Sequence, residues 1–188
     1  MSNSEIINIL DNDGIVTGTM SRDEAENDNH ATENVLVFIF NSSGRVWVQL
    51  RPMDKKHYPG LWDISACGGV LTSESNREAA FRETKEETGL DVDLIYVDTF
   101  LNVFPGDNGE ERRRMSSLYI GFSDENPAIN DEVDDFKDWN PLELRSHVIG
   151  NESLYIPSFI VELDMAMNAV EGLNLNKARQ NTDSAIPN

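Results

Sequence analysis

The chain has a single cysteine, Cys67, among 188 residues. That excludes a disulfide framework within the chain, so Cys67 is read as a thiol, in keeping with a reducing compartment. Long apolar runs are also missing. The longest, VLVFIF at Val35–Phe40, falls far short of the roughly 20 residues that a membrane-spanning helix needs. The N-terminal stretch lacks the basic, apolar, small-residue order of a secretory signal. A cytoplasmic protein is the expectation. Basic residues are scarce: 15 Lys and Arg stand against 34 Asp and Glu, a formal net charge of −19. A field of that sign repels polyphosphate backbones and anionic lipid, which argues against a nucleic acid polymer or a membrane as partner. An anionic ligand then needs local help, and two basic clusters offer it: RPMDKKH, with Arg51, Lys55, Lys56 and His57, and RRR at Arg112, Arg113 and Arg114.

The length and the 39% hydrophobic content suit one well-buried domain with an extension. Residues Ile6–Met20 read as two short strands around an Asp-Gly turn, followed by a polar connection, SRDEAENDNHATEN. NVLVFIF and RVWVQL are rich in β-branched and aromatic residues and are separated by NSSG, so they are expected to pair in the core. Strand-like segments recur near Val92–Phe104 and Met115–Phe122. NPLELRSHV reads as a short helix, and Ser158–Val170 as another, with Ile160, Leu163, Met167 and Val170 as its core stripe. The resulting division is a hairpin and connection over 1–30, a main domain of mixed sheet with few helices over 31–171, and a disordered tail over 172–188. Possible homodimerisation is left open.

Between these strands lies GGVLTSESNREAAFRETKEETGL, Gly68–Leu90, with five glutamates and no aspartate. Ser75 and Glu78 make a capping box and Gly89 stands where a helix ends, so a helix is predicted from about Asn76 to Thr88. Helical spacing puts Glu83, Glu86 and Glu87 on one face beside Ala79 and Ala80, with Phe81, Thr84 and Thr88 directed elsewhere, towards a core. A solvated acidic helix would pair Glu78 with Arg82 and Arg82 with Glu86. It would leave Glu83 and Glu87 as like charges one turn apart with no cation three or four residues away in the helix. Something outside the helix must neutralise them, and Mg²⁺, bound by a few carboxylates together with substrate phosphates, is the economical candidate.

Gly68, Glu74 and RETKEETGL at Arg82–Leu90 resemble the Nudix box, the signature of hydrolases that act on nucleoside diphosphates linked to another group. Thr84 is the soft departure, where an aliphatic residue is usual. PGLWD and DFKDWNPLEL resemble the flanks of Nudix domains, so the resemblance spans roughly Val35 to His147. It implies an α+β, Nudix fold of the α/β/α sandwich type, with a mixed sheet between helices. It implies Mg²⁺ or Mn²⁺ held by Glu83, Glu86, Glu87 and the backbone carbonyl of Cys67, with Arg82 orienting the glutamates and Glu74 preceding the helix. Arg82, Glu86 and Glu87 are then the catalytic set. The expected activity is hydrolysis of a diphosphate linkage in a nucleoside diphosphate derivative or a related organic pyrophosphate.

The stretch from ILDNDGIVTGTMSR to PMDKKHYPGLWDISACGG also resembles isopentenyl-diphosphate isomerase, a Nudix-fold enzyme with a catalytic cysteine in a Cys-Gly-His-Pro segment. Cys67 holds that place. Here, however, Gly69 and Val70 replace the His-Pro, His30 is alone where two histidines are needed, and RRRMSS stands where a Glu-x-Glu is expected. An isomerase using Cys67, and a Nudix-fold binding module without catalysis, are the alternatives. For the hydrolase, Arg51, Lys55, Arg112 and Arg114 are the candidate substrate cations; strand alternation sets Arg112 and Arg114 on one side and Arg113 on the other. Trp62, Phe104 and Trp139 are candidate stacking surfaces for a base, or core residues.

Overall fold

An apolar run without alternation belongs in a strand covered on both faces. In the computed structural model, which describes residues 5–106 and 109–183, VLVFIF forms most of β3 (Ala31–Phe40). Val35, Val37 and Ile39 point to one side, against the helix α2 (Asn76–Thr88). Leu36, Phe38 and Phe40 point to the other, against α3 (Pro141–Ile149) and α4 (Phe159–Asp183). The period of two along a single strand therefore divides the interior into two cores and makes the three layers.

Around β3 the described residues build a nine-stranded mixed sheet. Its remaining strands are β1 (Ile6–Leu10), β2 (Val16–Ser21), β4 (Val46–Leu50), β5 (Trp62–Asp63), β6 (Ala66–Gly69), β7 (Leu94–Pro105), β8 (Glu111–Phe122) and β9 (Asp135–Trp139). The β1–β2 hairpin is present and joins the same sheet through β1 and β3. β3 runs parallel to β8 from Thr32↔Arg114 to Phe40↔Phe122 and antiparallel to β6 from Asn34↔Gly69 to Val37↔Ala66. The expected pairing of NVLVFIF with RVWVQL is confined to Phe40↔Val46 at the turn. Beyond it β4 takes β9 and β5 as neighbours, and β6 occupies the edge of β3.

Two local readings change. The connection after β2 contains a helix, α1 (Arg22–Asn27), capped by Ser21 with Glu24 in a full capping box; the same signal that marks α2 was present there. The last helix runs to Asp183, well into the stretch expected to be disordered from residue 172, because Ala169, Val170 and Leu173 continue its apolar face onto the core. Residues 184–188 of that tail lie outside the described residues. Among the described residues no helix is long and apolar enough to cross a membrane.

Candidate active site

The acidic helix is built as its caps dictate. Ser75 Oγ accepts from the Glu78 N–H, Glu78 reaches back to the Ser75 N–H, and Gly89 closes the helix in the left-handed conformation at φ 73°. Ala79, Ala80, Thr84 and Thr88 pack against the sheet. Thr84, at the aliphatic position of the box, donates its hydroxyl to the Ala80 carbonyl and so buries without an orphan donor. Phe81 is half-buried, packed against the same core as expected, and lies under the Arg77 guanidinium.

Glu83 and Glu87, one turn apart, are buried at 8% and 7% exposure and line a cleft of about 480 Å³. Glu86 does not share their environment: its side chain is 53% exposed at the rim. The expected three carboxylates all line the cleft, two buried and one exposed, since one residue of helical rotation separates Glu86 from Glu87. Arg82 is the hub. It donates to Glu74 (2.6 Å), Glu83 (2.7 Å), Glu86 (3.1 Å) and the Gly69 carbonyl (3.0 Å). Glu87 Oε2 accepts from the Gln49 amide (2.7 Å) and the Cys67 N–H (2.8 Å). The Cys67 backbone N–H thus ties β6 to Glu87, and the carbonyl expected to face a metal belongs to the same residue.

Burial pushes the Glu83 carboxyl up to about 7 against the pull of Arg82, and burial together with the nearby Glu83 charge pushes Glu87 up to about 8. Arg82 serves as counter-charge to Glu83, whereas Glu87 has no ion pair among the described residues. Among the described residues no three His, Cys, Asp or Glu side chains converge on one ion position as they stand. Burial also pushes the Cys67 thiol well above its ordinary range, reinforced by Asp63, whose Oδ2 lies 3.5 Å from Sγ.

The candidate cations all line the cleft, in different states. Arg51 is committed: it pairs with buried Asp63 at 2.9 Å and donates to the His57 carbonyl. Lys55 pairs with Glu132 at the rim. Arg112 pairs with Glu110 at 2.8 Å and donates to the Glu26 carbonyl. Arg113, which also lines the cleft, holds Glu111 and Asn12. Arg114 is different. Its guanidinium lies 5.5 Å from the Phe104 ring and makes no hydrogen bond or ion pair among the described residues, and burial holds its pKa below the ordinary value. Of the three candidate aromatic surfaces only Phe104 lines the cleft; Trp62 packs on the core and Trp139 on His147.

Among the residues that sequence reasoning passed over and the tertiary fold brings to this cleft are Arg22, Asp63, Asn102 and Glu162. Arg22 opens the unforeseen helix α1, and its Nη2 sits where a side chain on residue 69 would go, 2.5 Å from a Cβ built on Gly69. Glu162 was hidden by the apolar stripe around it.

A model of the NUDIX domain matches residues 30–153. Isopentenyl-diphosphate Delta-isomerase of Pectobacterium atrosepticum is 32% identical over 135 residues, covering 71% of this chain and 75% of that protein. An uncharacterized Nudix hydrolase of Listeria innocua is 48% identical over 60 residues, 32% of this chain and 36% of that one. Among solved structures, DR0079 of Deinococcus radiodurans shares the fold with a TM-score of 0.70 at 20% identity, over 85% of this chain and 98% of that one. An intact box on a capped helix, a mixed sheet between helical layers and a domain match across most of the chain lead to one conclusion: this protein belongs to the NUDIX domain family.

Proposed function

We propose that the protein is a divalent-metal-dependent hydrolase of a diphosphate linkage in a nucleoside diphosphate derivative or related organic pyrophosphate. The observation that carries the reading is the buried pair Glu83 and Glu87 in a cleft that Arg114 of β8 also lines, Arg114 having no ion pair among the described residues. Two buried carboxylates raised towards neutral pH by burial are suited to a hard cation, which binds through oxygen. Gly68 supports this: a Cβ there would stand 1.9 Å from the Glu83 carboxyl, so the chain keeps a bare backbone beside that group.

Glu83 and Glu87, with Glu86 at the rim and the backbone of Cys67, are the residues that would hold Mg²⁺ or Mn²⁺. When bound, such an ion neutralises diphosphate charge and lowers the pKa of water for attack at phosphorus. The chain's own residues do the rest. Arg82 positions Glu83 and Glu86 through its fan of hydrogen bonds. Gln49 and the Cys67 N–H orient Glu87. Arg114 offers unshared donors to a phosphate oxygen.

The isomerase relatives make the second reading specific, and the cleft argues against it. The position of their segment's histidine is Gly69, and its space is taken by the Arg22 guanidinium. Arg114 stands in the strand expected to bring carboxylates, and the Cys67 thiol is held neutral beside Asp63. Incubation of the purified chain with nucleoside diphosphate derivatives and with isopentenyl diphosphate, each with Mg²⁺, Mn²⁺ or chelator, separates the readings. Metal-dependent release of phosphate products supports the hydrolase. Double-bond migration without hydrolysis overturns it.

A further inference from the structure

The C-terminal helix contributes more than packing. Phe159, Leu163 and Ala166 face the core from α4, and Glu162 lies among them at 1% exposure. Its Oε1 accepts from Asn102 Nδ2 at 2.9 Å, while Oε2 is buried and makes no hydrogen bond of 3.5 Å or less among the described residues, with the Ser158 hydroxyl as a polar neighbour of the carboxyl. Both residues line the same cleft as Glu83 and Glu87. Leaving a buried polar group unsatisfied costs about 1–3 kcal/mol, more for a charged one, so an acid kept in this state, aimed into a cleft, is a group waiting for a donor. Burial, then the Asp63 charge, pushes its carboxyl up to about 7, against the Ser158 hydroxyl, Asn102 and Arg114.

We propose that Glu162 and Asn102 form the recognition subsite for the organic half of the diphosphate substrate, and that this half carries an N–H or O–H donor of the nucleoside kind. The inference deepens the hydrolase reading and rests on it only in taking the ligand to be an organic diphosphate. A phosphate does not belong at Glu162, because a carboxylate repels it; the unshared donors of Arg114 suit phosphate instead. An isoprenyl chain does not belong there either, since it would seal Oε2 in apolar contact without a partner. A site that hydrogen-bonds its ligand rejects an analogue lacking the donor far more strongly than an apolar pocket rejects a missing methylene.

The test is calorimetric binding by the full chain in Mg²⁺, which needs no turnover. The probes are the α,β-methylene analogues of ADP, 2′-deoxy-ADP and UDP, the phosphonate analogue of geranyl diphosphate, and methylenediphosphonate. The parent should bind at least one nucleoside analogue about tenfold more tightly than the geranyl analogue. Glu162→Leu, which removes the buried acid and keeps an apolar filling, should erase that preference, weakening nucleoside binding about tenfold and leaving methylenediphosphonate within about twofold. Glu162→Met, unbranched and of similar length but without an oxygen acceptor, serves if the leucine variant does not fold, and Asn102→Ala should give a loss in the same direction. Loss confined to the 2′-hydroxyl probes assigns the donor to the sugar; loss that differs between ADP and UDP assigns it to the base. Unchanged nucleoside affinity in folded Glu162 variants, an equal loss for methylenediphosphonate, or no nucleoside binding by the parent overturns the subsite. If the parent hydrolyses organic diphosphates while the variants keep nucleoside affinity, the subsite falls and the hydrolase stands. If nothing is hydrolysed but binding still depends on Glu162, the reverse holds.

Discussion

The Gly68 backbone lies so close to Glu83 that a Cβ there would stand 1.9 Å from the carboxyl carbon. The side chain in the way is the far end of a glutamate, so Gly68→Ala can be accommodated, but only by displacing the carboxylate that Arg82 holds at 2.7 Å. We expect the variant to lose no more than about 1–3 kcal/mol of stability while its affinity for Mn²⁺ and its hydrolytic rate fall at least tenfold. Thermal melts and a metal titration check both. Full activity in Gly68→Ala would separate Glu83 from the chemistry.

Glu83→Gln and Glu87→Gln should each lower turnover about a hundredfold or more with the fold intact, because each removes a charge where transition-state charge must be neutralised. Glu86→Gln, at the exposed rim, should cost less. Steady-state kinetics on the three variants, with circular dichroism for the fold, gives the ranking. Equal losses at all three positions would mean that exposed Glu86 is engaged in the chemistry as closely as the buried pair.

The raised carboxyls make the metal-free protein pH-sensitive in a defined direction. Glu83 and Glu87 reach about 7 and about 8 when folded, against an ordinary glutamate value of about 4.3. The folded state therefore holds more protons than the unfolded state across that window, and stability falls as pH rises through it. Glu87→Gln should flatten part of this slope, and Mg²⁺ should flatten it further by favouring the ionised pair. Denaturant unfolding between pH 5 and 8.5, with chelator and with Mg²⁺, measures it. A slope unaffected by both the substitution and the metal would contradict the assignment.

Two arginines in one cleft should behave oppositely. Arg51→Ala breaks a buried pair with Asp63, so it should destabilise the fold by about 3 kcal/mol or more. Arg114 has no ion pair among the described residues. Arg114→Ala should leave stability nearly unchanged, raise KM about tenfold, and lose the salt dependence of KM. If Arg114→Ala leaves KM as it was, Arg114 is a packing residue over Phe104.

Cys67→Ala should keep hydrolysis within a few fold of the parent, since the N–H that holds Glu87 at 2.8 Å survives the change. A collapse of hydrolysis in a folded Cys67→Ala protein would assign the thiol a role that its raised pKa argues against.

What could be read along the chain was whatever depends on neighbours in sequence. The α2 boundaries follow from Ser75, Glu78 and Gly89, and the central strand follows from an apolar run. The acidic box follows from residue types at fixed spacing. The same local logic would have found α1, where Ser21 and Glu24 repeat the capping box within a stretch too polar to suggest structure.

Tertiary structure decided what residues far apart in sequence do to one another. The four candidate substrate cations are equal in the sequence, yet Arg51 is bound to Asp63, Lys55 to Glu132 and Arg112 to Glu110, and Arg114 alone of the four is left without an ion pair among the described residues. Glu86 and Glu87 are adjacent letters, but burial separates them, because a helix turns by about 100° per residue and the sheet covers one side only. Glu162 carries no sequence signal beyond an acid within an apolar stripe; packing α4 against the sheet buries it at the cleft beside Asn102 of β7. Spacing along the chain determined which groups are present and which helix holds them. Only the packing of distant elements determined which of those groups are already satisfied and which still face the cleft unsatisfied, since desolvation and pairing belong to the folded surroundings and not to the residue.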